Sequence, residues 1–105
     1  MRPASPHDFQ VQVDGLGAFT IGRRTMRDEF AIAAEYSRLT EGVKTPTDSL
    51  HYYARSFAAI KVLTVVAPPG WDIEALDPNE EASYAQLLSV FDAIRVAEAD
   101  FRRKP

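Results

Sequence analysis

Ala67-Pro68-Pro69-Gly70-Trp71-Asp72-Ile73-Glu74-Ala75-Leu76-Asp77-Pro78 separates two strongly patterned helical segments and holds the only Trp and three of the seven prolines. Proline removes a backbone donor and cannot continue a helix, whereas glycine accepts a positive φ at no steric cost. The stretch therefore stops one helix, fixes one large ring and starts another helix. It contains no nucleophile and no metal-ligand spacing. Those residue types point to a folded interaction module rather than to an enzyme.

Upstream of the connector, Thr45-Pro46-Thr47-Asp48 is a helix start signal with Pro at the first helical position. Leu50, Tyr53, Ala54, Phe57, Ile60, Lys61 and Thr64 follow at helical spacing. Val62, Leu63, Val65 and Val66 make the far end apolar all round. That end reads as helix up to Pro68, with a short strand as the alternative. Downstream, Asp77-Pro78-Asn79-Glu80 gives the next start signal, with Asp as cap. Tyr84, Leu87, Leu88, Phe91, Ile94, Val96 and Phe101 then predict a long final helix. Arg102, Arg103 and Lys104 stand at its end, where cations complement the helix dipole.

The N-terminal third has a different period. Phe9-Gln10-Val11-Gln12-Val13 alternates apolar and polar residues, as a half-buried strand does. Asp14-Gly15-Leu16-Gly17 signals a turn. A two-residue turn would pair Val11 with Ala18 and put Phe19 and Ile21 on the wrong face. A three-residue loop pairs Val11 with Phe19 and Phe9 with Ile21, so the large apolar side chains share one face, with Gly17 in a left-handed bulge position. A lone hairpin is marginal in water, so this face must sit on helices. Next, Thr25-Met26-Arg27-Asp28 fits a capping box with Asp in the place of the usual Glu or Gln. The helix it starts should run to about Glu41, where Gly42 supplies the stop. Met26, Phe30, Ala33 and Ser37 form one stripe, flanked by Ile32, Tyr36 and Leu39. The expected fold is α+β and mainly α: an N-terminal β-hairpin packed on a three-helix bundle. Residues 1–8 read as a flexible tail ahead of a single domain over 9–105.

The bulk properties narrow the function classes. A chain of 105 residues is one domain on length and buries roughly 65% of its unfolded surface. With no Cys, disulfides and thiolate metal sites are excluded, which fits a reducing compartment. A composition of 46% hydrophobic and 26% charged residues is that of a globular protein. A net charge of −3 gives no overall pull toward nucleic acid or anionic lipid. Val62 to Trp71, the longest nearly uncharged run, is broken by Pro68-Pro69-Gly70 and falls short of the roughly 20 apolar residues of a membrane span. Residues Met1 to Asp8 lack the apolar centre of a signal peptide. Cytoplasmic residence is the expectation, with no membrane partner.

Catalytic and ligand-binding constellations are weak. His7 and His51 are far apart, and no other His exists to build a metal centre. No serine sits in a nucleophile-elbow context. Gly15, Gly17 and Gly22 have the wrong spacing for a phosphate loop, and no Gly-Lys-Ser or Gly-Lys-Thr follows. Glu80, Glu81, Glu98 and Asp100 read as a solvated helix face. Neither a catalytic residue nor a cofactor is expected. Arg23, Arg24 and Arg27 form a sharp basic cluster. It lacks the interleaved exposed aromatics of a nucleic-acid surface, so it reads as pairing with Asp28 or Glu29, or as facing an acidic partner. Phe30, Ile32, Tyr36 and Leu39, with Tyr52 and Tyr53, offer more apolar surface than this small fold buries. Candidate partner-binding residues are Arg23, Arg24, Arg27, Phe30, Tyr36 and Tyr52. Trp71 reads as a core plug at a helix seam, with a rigid interface anchor as the alternative.

Phe19-Thr20-Ile21-Gly22-Arg23-Arg24-Thr25-Met26-Arg27-Asp28-Glu29, Lys61-Val62-Leu63-Thr64-Val65, Ala67-Pro68-Pro69-Gly70-Trp71-Asp72 and Glu98-Ala99-Asp100-Phe101-Arg102 resemble the small tail assembly chaperones of long-tailed bacteriophages and prophages. The likeness spans about Val11 to Arg103 and rests on structural, not catalytic, motifs. It implies a non-enzymatic escort in the cytoplasm of the bacterial host. Such an escort keeps the helical tape measure protein soluble, helps tail tube subunits assemble around it and leaves before the virion matures. Family members also occur as a longer, frameshifted form; a chain ending at Arg103-Lys104-Pro105 suits the short one. No family binding residues carry over one by one. Surplus apolar surface is equally compatible with self-association. The alternatives are a structural tail or head–tail junction protein retained in the virion, and a small nucleic-acid-binding regulator.

Overall fold

The computed structural model describes residues 2–103. Its elements run β1 (Phe9–Val13), β2 (Gly17–Ile21), α1 (Met26–Leu39), α2 (Asp48–Leu63), β3 (Thr64–Val66) and α3 (Glu81–Arg103), with a 3-10 turn at Ile73–Ala75. The architecture is α+β and mainly α, as the hydrophobic periods indicate.

The hairpin takes the register that gathers its apolar residues. Phe9 pairs with Ile21, Val11 with Phe19 and Val13 with Gly17. Asp14, Gly15 and Leu16 form the loop, closed by the Leu16 N–H donating to the Val13 carbonyl at 3.0 Å. Val11, Val13, Phe19 and Ile21 are buried, whereas Gln10, Gln12 and Ala18 face out. Gly17 has φ of +123°, and a Cβ there would stand 3.0 Å from Pro68 Cβ. The hairpin loop thus leans directly on the connector.

The sheet has three strands, not two, in the order β1-β2-β3. The helical reading of Thr64 to Val66 is corrected: α2 ends at Leu63 and the chain passes at once into β3, antiparallel to β2. Thr20 pairs with Val66 and Ile21 with Thr64, leaving Val65 as a bulge. Two forces end the helix here. Thr64-Val65-Val66 is a β-branched run, which favours extended backbone. The outer edge of β2 would otherwise hold unpaired backbone groups, a cost that β3 removes. The Gly22 N–H donates to the Leu63 carbonyl at 2.8 Å at this junction, and Thr64 Oγ1 donates back to the Ile60 carbonyl at 2.6 Å.

The helix starts follow their caps with two shifts. At α1 the capping box is complete: Thr25 Oγ1 accepts from the Asp28 N–H at 3.2 Å, and Asp28 Oδ2 accepts from the Thr25 N–H at 2.8 Å. This helix ends at Leu39, short of the expected Glu41, and Gly42 beyond it has φ of +84°. At α2 the cap is Thr47, not Thr45, and its hydroxyl accepts from the Leu50 N–H at 3.1 Å; Pro46 precedes the cap instead of opening the helix. At α3 the helix begins at Glu81, because Asp77 spends its carboxylate on the Asn79 N–H in a local turn. Side chains of the C-terminal basic group beyond Arg102 lie outside the described residues.

In the core, α2 packs between α1 and α3, and β1 lies along α3. Phe19, Ile21, Ile60, Leu63, Val90 and Ile94 are fully buried. On the last helix Val90 and Ile94 face the core, whereas Val96 is exposed. The connector is built as its residues suggest. The Trp71 N–H donates to the Pro68 carbonyl at 3.2 Å, with Gly70 at φ of +87°, which is a type II turn with Pro69 and Gly70 at its centre. Trp71 is partly buried and packs on the core. The segment read as a flexible tail makes contacts of its own: Arg2 pairs with Asp28, and Ser5 N–H donates to Asp8 Oδ2 at 2.7 Å.

Candidate partner-binding surfaces

Among the described residues, two of the concave surfaces are walled mainly by the helices. The larger is an apolar groove of about 350 Å³ between the end of α1, the first half of α2, the connector and the start of α3. Leu39, Tyr53, Phe57, Leu76, Tyr84 and Leu87 make most of its wall. Helical spacing puts Tyr53 and Phe57 on one face of α2, and Tyr84 and Leu87 on one face of α3. The connector supplies Ile73 and Leu76 from its 3-10 turn and the residue that caps it. Tyr53 and Tyr84 meet with ring centroids 4.7 Å apart, and Tyr84 remains 43% exposed. Such a groove suits the apolar face of a helix.

The second surface is a polar cleft of about 300 Å³ where α1, α2 and α3 converge. Arg24, Arg55, Arg95 and Arg102 line it together with Glu29 and Glu98. Arg24 is the fixed member. It grips Glu98 with two hydrogen bonds, Nε to Oε2 at 2.9 Å and Nη2 to Oε1 at 3.0 Å, and reaches Glu29 at 2.7 Å. Burial alone would lower the Arg24 pKa, but the two carboxylates outweigh it and hold it above its ordinary value.

The six residues singled out from sequence do not form one site. Arg23 lies over the Phe101 ring at 4.0 Å and closes the end of α3, where Phe101 also meets Phe9 edge to face. Arg24 ties the start of α1 to α3. Arg27 and Phe30 stand on the outer face of α1, Phe30 with 69% exposure and Met26 with the same. The Met26–Phe30–Ala33–Ser37 stripe is therefore the solvent face, while Ile32 and Leu39 face inward. Tyr36 is half-buried, with its hydroxyl 2.8 Å from His51 Nδ1. Tyr52 is exposed and stacks on Tyr53, with centroids 6.3 Å apart. None of the six lines the apolar groove, and only Arg24 lines the polar cleft. The groove had one sequence signal: Leu50, Tyr53 and Phe57 repeat on one face of α2 and exceed what a short helix pair covers.

Among the described residues, no group of three His, Asp or Glu is placed to hold a metal ion, and no helix is long and apolar enough to cross a membrane. Compared with protein-family models, with curated proteins and with solved structures, the chain matches none.

Proposed function

We propose that the protein is a non-enzymatic phage tail assembly chaperone that binds the tape measure protein and promotes assembly of tail tube subunits around it. The observation that carries this reading is the apolar groove walled by Leu39, Tyr53, Phe57, Leu76 and Tyr84. A tape measure protein is long and helical, and an amphipathic helix needs such a groove to cover its apolar stripe before the tube encloses it. The resemblance in the β2–α1 segment, the connector and the end of α3 supplies the partner's identity. Tyr52, stacked on Tyr53, extends the apolar surface beyond the groove, and Arg23 and Arg27 add positive charge at the start of α1. The protein acts in the cytoplasm of the bacterial host and leaves before the virion matures.

The test is co-expression with a tape measure protein from the same genome. Improved solubility of the tape measure protein and a recoverable complex support the reading. An insoluble tape measure protein with no complex rejects it. Stable presence in purified virions at symmetric stoichiometry would replace it with a structural tail role.

A further inference from the structure

The polar cleft holds more positive charge than the fold uses. Four guanidinium groups and two carboxylates line it. Arg24 engages both carboxylates, and with Glu98 it does so through both oxygens. Arg55, Arg95 and Arg102 have no ion pair to any other described residue; Arg95 has only the Phe91 ring, 5.7 Å from its guanidinium carbon. Three like charges are thus set around one concavity in a chain whose net charge is −3. The three side chains are exposed, and like charges gathered at one concavity focus a positive potential that attracts an anion.

The arrangement is regular as well as basic. Arg95 and Arg102 are two helical turns apart on one face of α3, about 10 Å along the axis. Arg55 projects from α2 on the opposite wall. Guanidinium forks bind carboxylates in pairs of parallel hydrogen bonds, so the cleft presents three such forks, two of them at helical spacing on α3. We propose that this cleft is a docking site for an acidic helical segment of a protein partner, whose carboxylates at i, i+4 and i+7 pair with Arg95, Arg55 and Arg102. Nucleic acid fits less well. The chain's net charge is −3, and Phe91, the aromatic in the cleft lining, is buried, so no exposed ring stands there to stack a base. The proposal does not depend on the tape measure reading, because it concerns a different surface and a different chemistry.

The test uses the whole protein and an alanine-rich helical peptide carrying Glu at i, i+4 and i+7, with its Gln counterpart and an oligothymidylate as the other arms. Each guanidinium is followed by its own Nε–H resonance, so the wild-type protein alone decides the question. The Glu peptide should shift the Arg55, Arg95 and Arg102 signals together, and added salt should weaken the effect. The Gln peptide should leave them in place. The triple variant Arg55→Gln, Arg95→Gln, Arg102→Gln should fold normally and bind the Glu peptide about tenfold or more weakly. Unmoved Arg signals, or equal response to the Gln peptide, overturns the proposal. Tighter binding of the oligothymidylate at the same three signals would make the cleft a nucleic-acid site instead.

Discussion

Trp71 meets Phe19 edge to face, with ring centroids 5.4 Å apart and planes at 81°. Phe19 is fully buried at the centre of β2, and Trp71 is the first residue after the Pro-Pro-Gly turn. One aromatic contact therefore fixes where the connector crosses the sheet, and with it where α3 begins. Trp71→Ala should cost about 2–3 kcal/mol, below the value for a fully buried ring because one side of the indole meets solvent. Urea unfolding followed by far-ultraviolet circular dichroism measures it. An unchanged midpoint would mean that Trp71 is held for a partner rather than for the fold.

The opposite side of the same corner is the contact of Gly17 with Pro68. Gly17→Ala adds a Cβ 3.0 Å from the proline ring on a backbone with φ of +123°. Both effects act against the native state, and the expected loss is about 1–3 kcal/mol. Gly15→Ala meets no atom but shares the positive φ, so it should cost less. Thermal midpoints of the two variants compare them directly; an equal loss would remove the Pro68 contact from the account.

Asp28 gives the fold an acid-sensitive element. Burial alone would raise its pKa, but hydrogen bonds from Arg2 and from Thr25 outweigh burial and hold the carboxyl below its ordinary value. A depressed folded-state pKa means that the carboxylate's contribution is present above the unfolded value, near pH 4, and is lost as pH falls through the folded value. Asp28→Asn should therefore destabilise the protein by about 1–2 kcal/mol at neutral pH, through the cap and the Arg2 pair. The gap between variant and wild type should shrink below about pH 4. A gap that is constant with pH would show that the charge on Asp28 does not matter.

The fold was largely legible because its signals are local. The period of two in Phe9 to Val13 fixed both the strand and, with the requirement for one apolar face, the three-residue loop. The Thr25–Asp28 capping box was readable from residue type. Thr64 to Val66 was misread because its fate is decided from outside: the same residues extend the α2 stripe, and only the open edge of β2 makes the strand the better choice. The groove was the least legible part. Its wall comes from α1, α2, the connector and α3, and nothing in a linear pattern reports that Leu76 lands beside Tyr84.

The central claim is that the groove, rather than the outer face of α1, receives the tape measure helix. Tyr84 and Phe30 are both partly or largely exposed, so Tyr84→Asp and Phe30→Asp should each leave the fold intact. The decisive measurement is the amount of tape measure protein recovered with each variant after co-expression, with folding checked by circular dichroism. The account predicts that Tyr84→Asp lowers recovery at least about tenfold, as expected when a charge enters an apolar contact, while Phe30→Asp leaves it near the wild-type level. Full recovery with Tyr84→Asp and loss with Phe30→Asp would contradict it and move the binding face to α1.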